Sequence, residues 1–388
     1  MDVLALASSA GLGGGIERYV DEVVERLREL GEEVDCFAVV SKPGRPSRIS
    51  KARFAWRACV AMRAHRPTLL LVFHPGLLPV ALVARAVARR PGMPMKAFFY
   101  GQDIWAMSRL SMWCASRSSV EVVSISEFSA GALSRVANAR VIPPGLTERW
   151  RNSLLAVSRD DKVPSGPKEL LSVFRLADYR TKGLPVLVEA IELLRQEGTE
   201  LNLTIAGVGP VPEPVRSLMA RHSWLRVIES PHDNDLRDLY ARAELVVLAT
   251  RRTAGAHSSG EGFGIVLLEA QLAGAPVVAP AFGGSRSAYL DGISGLAPTD
   301  ESAVALAQVL RRCARSRGEL ARMGRNGRTW AALVTQSGRR RALIATLLPA
   351  GGTNRDDSVV EHPLAVRLLV DSEGSSPRGH HDEPRQHL

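Results

Sequence analysis

The chain has 388 residues, more than one ordinary hydrophobic core encloses, and at roughly 100–200 residues per domain two domains are expected. Hydrophobic residues make up 45% and charged residues 23%, which excludes wholesale disorder. Fifty basic residues against 40 acidic ones give a formal net charge of +10, which favours phosphate-bearing partners, nucleic acid or an anionic membrane surface without choosing among them. Nearly all of the basic charge is arginine, spread along the sequence with no block of five or six, and an Arg-rich genome explains this better than a nucleic-acid footprint does. Cys36, Cys59, Cys114 and Cys313 are far apart and form no CxxC pair, which argues against a metal site or a disulfide framework. The amino end has no basic n-region, its apolar run is a short strand's length, and no stretch reaches about 18 uninterrupted apolar residues. A cytoplasmic protein that could touch a membrane surface is expected.

Short apolar runs alternate with helical patterns through the first half, the βαβ signature of a parallel sheet covered on both faces. Val3 to Ala7 reads as a strand, Gly11 to Gly15 as a loop, and Glu17 to Leu30 as a helix with Val20, Val23, Val24, Leu27 and Leu30 on one face, closed by Gly31. Val34 to Val40, Leu69 to Phe73, Met95 to Tyr100, Val120 to Ser124 and Arg140 to Ile142 follow as strands, with helices at Lys51 to His65, Leu77 to Arg89 and Glu127 to Val136. The helix from Lys51 mixes Arg53, Arg57 and Arg63 with Phe54, Trp56 and Met62, which suits either an anionic membrane or a core-packing helix with an Arg-rich exterior. Between Pro143 and Lys168 the pattern lapses into Pro, Gly, Ser and charged residues, as an interdomain linker does.

The alternation then restarts. Strands are expected at Leu170 to Phe174, Leu201 to Ala206, Leu225 to Glu229, Leu245 to Leu248 and Pro276 to Ala279. Helices are expected at Leu184 to Gln196, Glu213 to His222, Asn234 to Ala241, Ile265 to Ala273, Glu301 to Ser316 and Glu319 to Arg325. The fold class is therefore α/β with two Rossmann-like domains, residues 1–155 and 156–349, facing a central cleft at their strand ends. Residues 350–388 are polar and rich in Gly, Ser and Pro and read as a disordered tail.

Ser258 to Gly284 (SSGEGFGIVLLEAQLAGAPVVAPAFGG) carries the most chemistry. Glu261 precedes a helix start, and Gly262 and Gly264 admit close approach of a ligand to the backbone. Gly262, Phe263, Gly264 and Ile265 would offer free N–H groups at the positive end of the helix, which suits a diphosphate. Glu269 follows in the second turn, so a carboxylate stands on each side to bind sugar hydroxyls. Upstream, Arg175 leaves the end of a strand and Lys182 precedes a helix, two cations able to neutralise a diphosphate leaving group, with Arg180 a third candidate. The amino-terminal GLGGGIER loop lacks G-x-G-x-x-G spacing, and no acid ends the next strand, which weighs against NAD.

Together these segments resemble the GT-B glycosyltransferases, family 4 in particular. Glu261 to Glu269 is similar to the family's E-x7-E motif, Arg175 and Lys182 to its R-L…K-G pair, and Gly14 and Gly15 to its GG-x-E-R opening. Thr204 to Pro210, Val122 to Leu133 and Val141 to Leu146 match further segments in order. The resemblance implies a retaining hexosyltransferase with an amino-terminal acceptor domain and a carboxyl-terminal donor domain. It implies that Arg175, Lys182 and Glu261 carry the catalysis, and that Gly14, Gly15, Gly262, Phe263, Gly264, Ile265 and Glu269 bind the donor, a UDP- or GDP-linked sugar. No cofactor, metal or nucleic acid is expected, the acceptor is open, and peripheral membrane contact is compatible. Tyr100 stands where many relatives carry His and Ser287 where many carry Glu, so those donor contacts are not carried over. Tyr100 and Asp103 are candidates for acceptor or sugar contacts, Tyr100 also for packing, and His74 for the cleft or for a structural role. Asp233, Asn234 and Asp235 have the form D-x-D, but their place before a helical run favours an N-cap over a metal ligand. The rival readings are an epimerase of the same architecture, which needs a cleft acid/base pair and no acceptor, and a nucleic-acid binder, which needs a basic stripe with interleaved aromatics.

Overall fold

The computed structural model describes residues 2–11, 13–40, 47–105, 107–159, 168–252 and 260–349; the expected tail lies outside the described residues. The first lobe runs β1 (Asp2–Ser9), α1 (Gly15–Glu29), β2 (Glu33–Val40), α2 (Arg48–Ala64), β3 (Leu69–Val72), α3 (Leu78–Val87), β4 (Met95–Phe99), α4 (Gln102–Trp105), α5 (Arg109–Ala115), β5 (Glu121–Ser124), α6 (Glu127–Leu133) and β6 (Ala139–Val141). After α7 (Glu148–Leu155), the second lobe runs β7 (Lys168–Val173), α8 (Leu184–Gln196), β8 (Leu201–Gly207), α9 (Glu213–Arg221), β9 (Leu225–Glu229), α10 (Asp233–Arg242), β10 (Leu245–Val247), α11 (Ile265–Leu272), β11 (Val277–Val278), β12 (Gly295–Leu296), α12 (Ala303–Arg315), α13 (Arg317–Val334) and α14 (Ser337–Ala345).

Each lobe is built on a parallel six-stranded sheet, ordered β2-β1-β3-β4-β5-β6 in the first and β12-β11-β10-β7-β8-β9 in the second. The apolar runs form strands because both faces are covered, as β3 illustrates. Leu69 and Leu71 enter the cluster shared with α1, whereas Leu70 and Val72 enter the one under α2, α3 and α5. The order of strands reverses between β1 and β3 and again between β7 and β10, so the loops after β1, β7 and β10 border crevices at carboxyl ends, where ligands bind on such sheets. One apolar cluster runs across both lobes and joins Tyr19, Tyr100 and Ile125 to Trp150, Phe263 and Leu267.

Four helices depart from the sequence reading. The expected linker contains α7, whose Trp150 and Leu154, four residues apart, are buried. Residues 102–115 hold two short helices where no element was expected. α14 was not foreseen because a charged residue fills one of its two buried positions. Arg340 is 2% exposed and donates from Nε and Nη2 to the buried Glu22 carboxylate on α1, at 2.8 and 2.9 Å, and from Nη1 to the Pro143 carbonyl at 2.8 Å. The chain thus returns from the second lobe and fastens to the first. Among the described residues no helix is long and apolar enough to cross a membrane.

Candidate active site

Lys182, Thr250 and Glu261 meet at the carboxyl ends of β7 and β10. Gly183 adopts the left-handed conformation, φ 73°, and a Cβ there would strike the Ala249 carbonyl, so glycine lets the turn after β7 lie against the end of β10. Arg251 N–H donates to the Thr181 carbonyl at 2.9 Å and fixes that contact. Lys182 Nζ then donates to Glu261 Oε2 at 2.8 Å, and Thr250 Oγ1 donates to the same oxygen at 2.9 Å. Burial pushes the Glu261 carboxyl up, but Lys182, the Thr250 hydroxyl and the Phe263 N–H more than offset it and hold the group below the usual carboxylate range. Glu261 is therefore an ionised, oriented acceptor of hydrogen bonds.

Gly264, at φ 81° and ψ 57°, turns the chain into α11, and no side chain caps that helix. Its leading N–H groups lie at the positive end of the helix dipole. Arg175 is exposed at the end of β7. Across from it, a Cβ added at Gly14 would lie 3.7 Å from Arg175 Nη2, and one at Gly15 would lie 3.0 Å from Ile265 Cγ2. The structure thus brings Gly14 and Gly15 of one lobe together with Arg175, Gly264 and Ile265 of the other.

Phe263 departs from the expectation that its amide binds an anion, and Gly262 has a part beyond its amide. The Gly262 carbonyl accepts from Ser126 Oγ at 2.7 Å, and its Cα packs on Gly101, where a Cβ would lie 3.2 Å away. The Phe263 side chain is 4% exposed in the shared core, and its N–H already donates to Glu261. These two residues join the lobes and position Glu261.

Glu269 is only 1% exposed. Oε1 accepts from Trp150 Nε1 and Oε2 from the Tyr240 hydroxyl, each at 2.8 Å. Arg18 of α1 approaches Oε1 with Nε at 3.4 Å, stacks on the Trp150 ring at 4.6 Å and pairs with Asp233 at 2.6 Å. Each carboxylate oxygen keeps a lone pair beyond these bonds, but a ligand reaches it only if Arg18 gives way.

The N-cap of α10 is His232, not Asp233 or Asp235; both aspartates lie in the first turn, where they complement the helix dipole. The Asp103 carboxylate accepts from the N–H groups of Tyr100 and Gly101, which braces the end of β4. His74 Nδ1 accepts from Gly76 N–H at 3.0 Å and starts a 3-10 turn. The Tyr100 hydroxyl is buried without a hydrogen-bond partner among the described residues. Thr250, Ser126, Trp150, Tyr240 and Arg18 were not foreseen as site residues, and only Arg18, in GG-x-E-R, and Ser126, in Val122 to Leu133, stood inside motifs already read.

The sequence profile of the family "Glycosyl transferases group 1" matches residues 157–330. The match covers the second lobe, which is similar to the group 1 glycosyl transferases. The chain is also similar to the putative colanic acid biosynthesis glycosyltransferase WcaL of Escherichia coli, 31% identical over 155 residues. That match spans 39% of this chain and only 37% of the relative's length. The GDP-mannose-dependent alpha-(1-6)-phosphatidylinositol monomannoside mannosyltransferase of Mycobacterium tuberculosis is 28% identical over 297 residues, 69% of this chain and 72% of that one. The structure of Anabaena Alr3699/HepE in complex with UDP-glucose superposes with a TM-score of 0.67 at 19% identity, covering 89% of this chain and 98% of that one. The fold is GT-B, two Rossmann-like lobes with Lys182, Glu261 and the start of α11 where they face each other.

Proposed function

We propose that the protein is a retaining glycosyltransferase of family 4 that moves a sugar from a UDP- or GDP-linked donor to an acceptor hydroxyl. The donor diphosphate lies between Arg175, Lys182 and the leading amides of α11 at Gly264 and Ile265. When the bond from the anomeric carbon to the diphosphate oxygen breaks, its electron pair leaves with the nucleoside diphosphate, and the two cations and the helix end stabilise the growing charge. The acceptor oxygen bonds to the anomeric carbon, and its proton passes to the departing phosphate. Glu261 accepts from sugar hydroxyls, and Glu269 accepts from the ribose once Arg18 withdraws. Gly14 and Gly15 close the cleft from the first lobe and limit hydrolysis by water. Arg175 and Lys182 do the work a divalent ion does elsewhere, so no metal takes part.

The observation that carries this reading is the Lys182–Glu261 pair beside an uncapped helix start, opposite the Gly14–Gly15 loop and Arg175. HepE in complex with UDP-glucose and the GDP-mannose dependence of the mycobacterial enzyme support a nucleotide-sugar and leave both bases open. Incubation of the purified protein with a panel of nucleotide-sugars, with and without candidate acceptors, tests the proposal. Acceptor-dependent release of UDP or GDP is expected. Conversion of the donor without acceptor indicates an epimerase, and no turnover of any donor with any acceptor refutes the assignment.

A further inference from the structure

The positive charge is concentrated rather than scattered. Between Cys36 and Val120 the chain carries 14 lysines and arginines and one acid, Asp103, so this stretch holds more than the whole net charge of +10. Its main helices α2, α3 and α5 lie side by side and cover one face of the first sheet, with Phe54, Met62, Ala81, Ala84 and Cys114 turned inward. None of the three contains an Asp or Glu, whereas α1, on the other face, has five.

The outward surface of these helices is apolar too. On α2, Ile49, Trp56 and Val60 are spaced seven and four residues apart, on one stripe, and are 81%, 66% and 44% exposed. Val83 and Val87 of α3 and Leu110, Met112 and Trp113 of α5 are exposed beside them. Of the large hydrophobic side chains exposed among the described residues, only Phe282 and Val304 lie elsewhere. Lys51, Arg53, Arg57, Arg63, Arg109 and Arg117 stand among them, all exposed, with the Arg117 guanidinium 4.7 Å from the Trp113 ring.

We infer that this face docks on an anionic phospholipid bilayer. Tryptophan and aliphatic side chains ringed by arginine, with no acid on the three helices and Asp35 held by His65 at the end of α2, match the boundary between acyl chains and negative headgroups. The aliphatic residues have no base to stack on in a nucleic acid, and a second copy would bring one acid-free basic face against another. α4 and α5 also follow directly from Tyr100 and Gly101, and a Cβ on Gly260 would lie 3.3 Å from the Trp105 ring, so the docking face borders the cleft. The inference stands apart from the donor chemistry.

Co-sedimentation of the full chain with vesicles tests it. Binding to phosphatidylcholine vesicles containing about 30 mol% phosphatidylglycerol is expected to exceed binding to pure phosphatidylcholine at least roughly tenfold, and to weaken in 1 M salt. The I49S/W56S/W113S variant changes only exposed side chains and should lose that binding while keeping its melting temperature. R53E/R63E should do the same through charge alone. Equal binding to both vesicles, or binding unaffected by both variants, overturns the inference. So does tighter binding to a single-stranded oligonucleotide than to the anionic vesicles, or self-association that either variant abolishes.

Discussion

Gly262→Ala tests whether the two lobes must touch at the site. Gly262 is outside the left-handed region, so alanine is compatible with its backbone, and the obstacle lies across the cleft. An added Cβ would strike the Tyr100 carbonyl, which is backbone at the end of β4 and cannot rotate aside, and would lie 3.1 Å from Ile125 Cδ1. Restoring an ordinary separation of about 3.5 Å moves the first lobe's wall away by roughly 1–2 Å. Misplacement of reacting groups by that much lowers turnover by roughly 100-fold. Arg175, Lys182 and α11 belong to the second lobe, so nucleoside diphosphate affinity should hardly change. Turnover with a saturating donor and calorimetric titration of UDP and GDP separate the two effects. Turnover within about threefold of the parent would refute the argument that the lobes close through this contact.

Arg340→Met leaves Glu22 buried without its partner and should cost about 3–5 kcal/mol in urea denaturation; a loss below about 1 kcal/mol would show that α14 is not fastened to α1 in this way. Tyr100→Phe removes a hydroxyl that makes no hydrogen bond among the described residues and should leave the melting temperature unchanged or raised. Tyr19→Phe, by contrast, deletes a buried bond to the Ile142 carbonyl of 2.8 Å and should lower stability by about 1 kcal/mol. Thermal melts of the pair decide between them, and equal losses would contradict the assignment. Chelation with EDTA should leave transfer intact; loss that a divalent ion restores would return a metal to the site.

The sheets were legible because parallel strands buried on both faces are continuous apolar runs, as LLLV at β3 is. A turn was legible too, since Gly31, read as the close of the first helix, adopts the left-handed conformation at φ 84°. Contacts between distant segments were not. Arg18 and Asp233 are 215 positions apart, Trp150 and Glu269 are 119 apart, and no local period relates either pair. Glu269 therefore read as open when its carboxylate is already held on both oxygens. α14 escaped because its anchoring residue is an arginine, and α7 because two buried residues in one short helix leave too little period to detect. Of the basic face only α2 was read, as a helix suited either to a membrane or to a core; the rest escaped, because its arginines are spaced along the chain and gather only when three helices lie side by side.

The central claim is that cations of the second lobe hold the diphosphate. Calorimetric titration of Arg175→Ala and Lys182→Ala with UDP, GDP and the corresponding nucleosides measures it directly. Each variant loses charge-assisted contacts worth about 1.5–3 kcal/mol, so diphosphate affinity should fall by roughly 10–150-fold while nucleoside affinity stays the same. Arg175→Ala is the cleaner of the two, since Lys182 also neutralises Glu261. Parent-like affinity of both variants for both diphosphates would contradict the account.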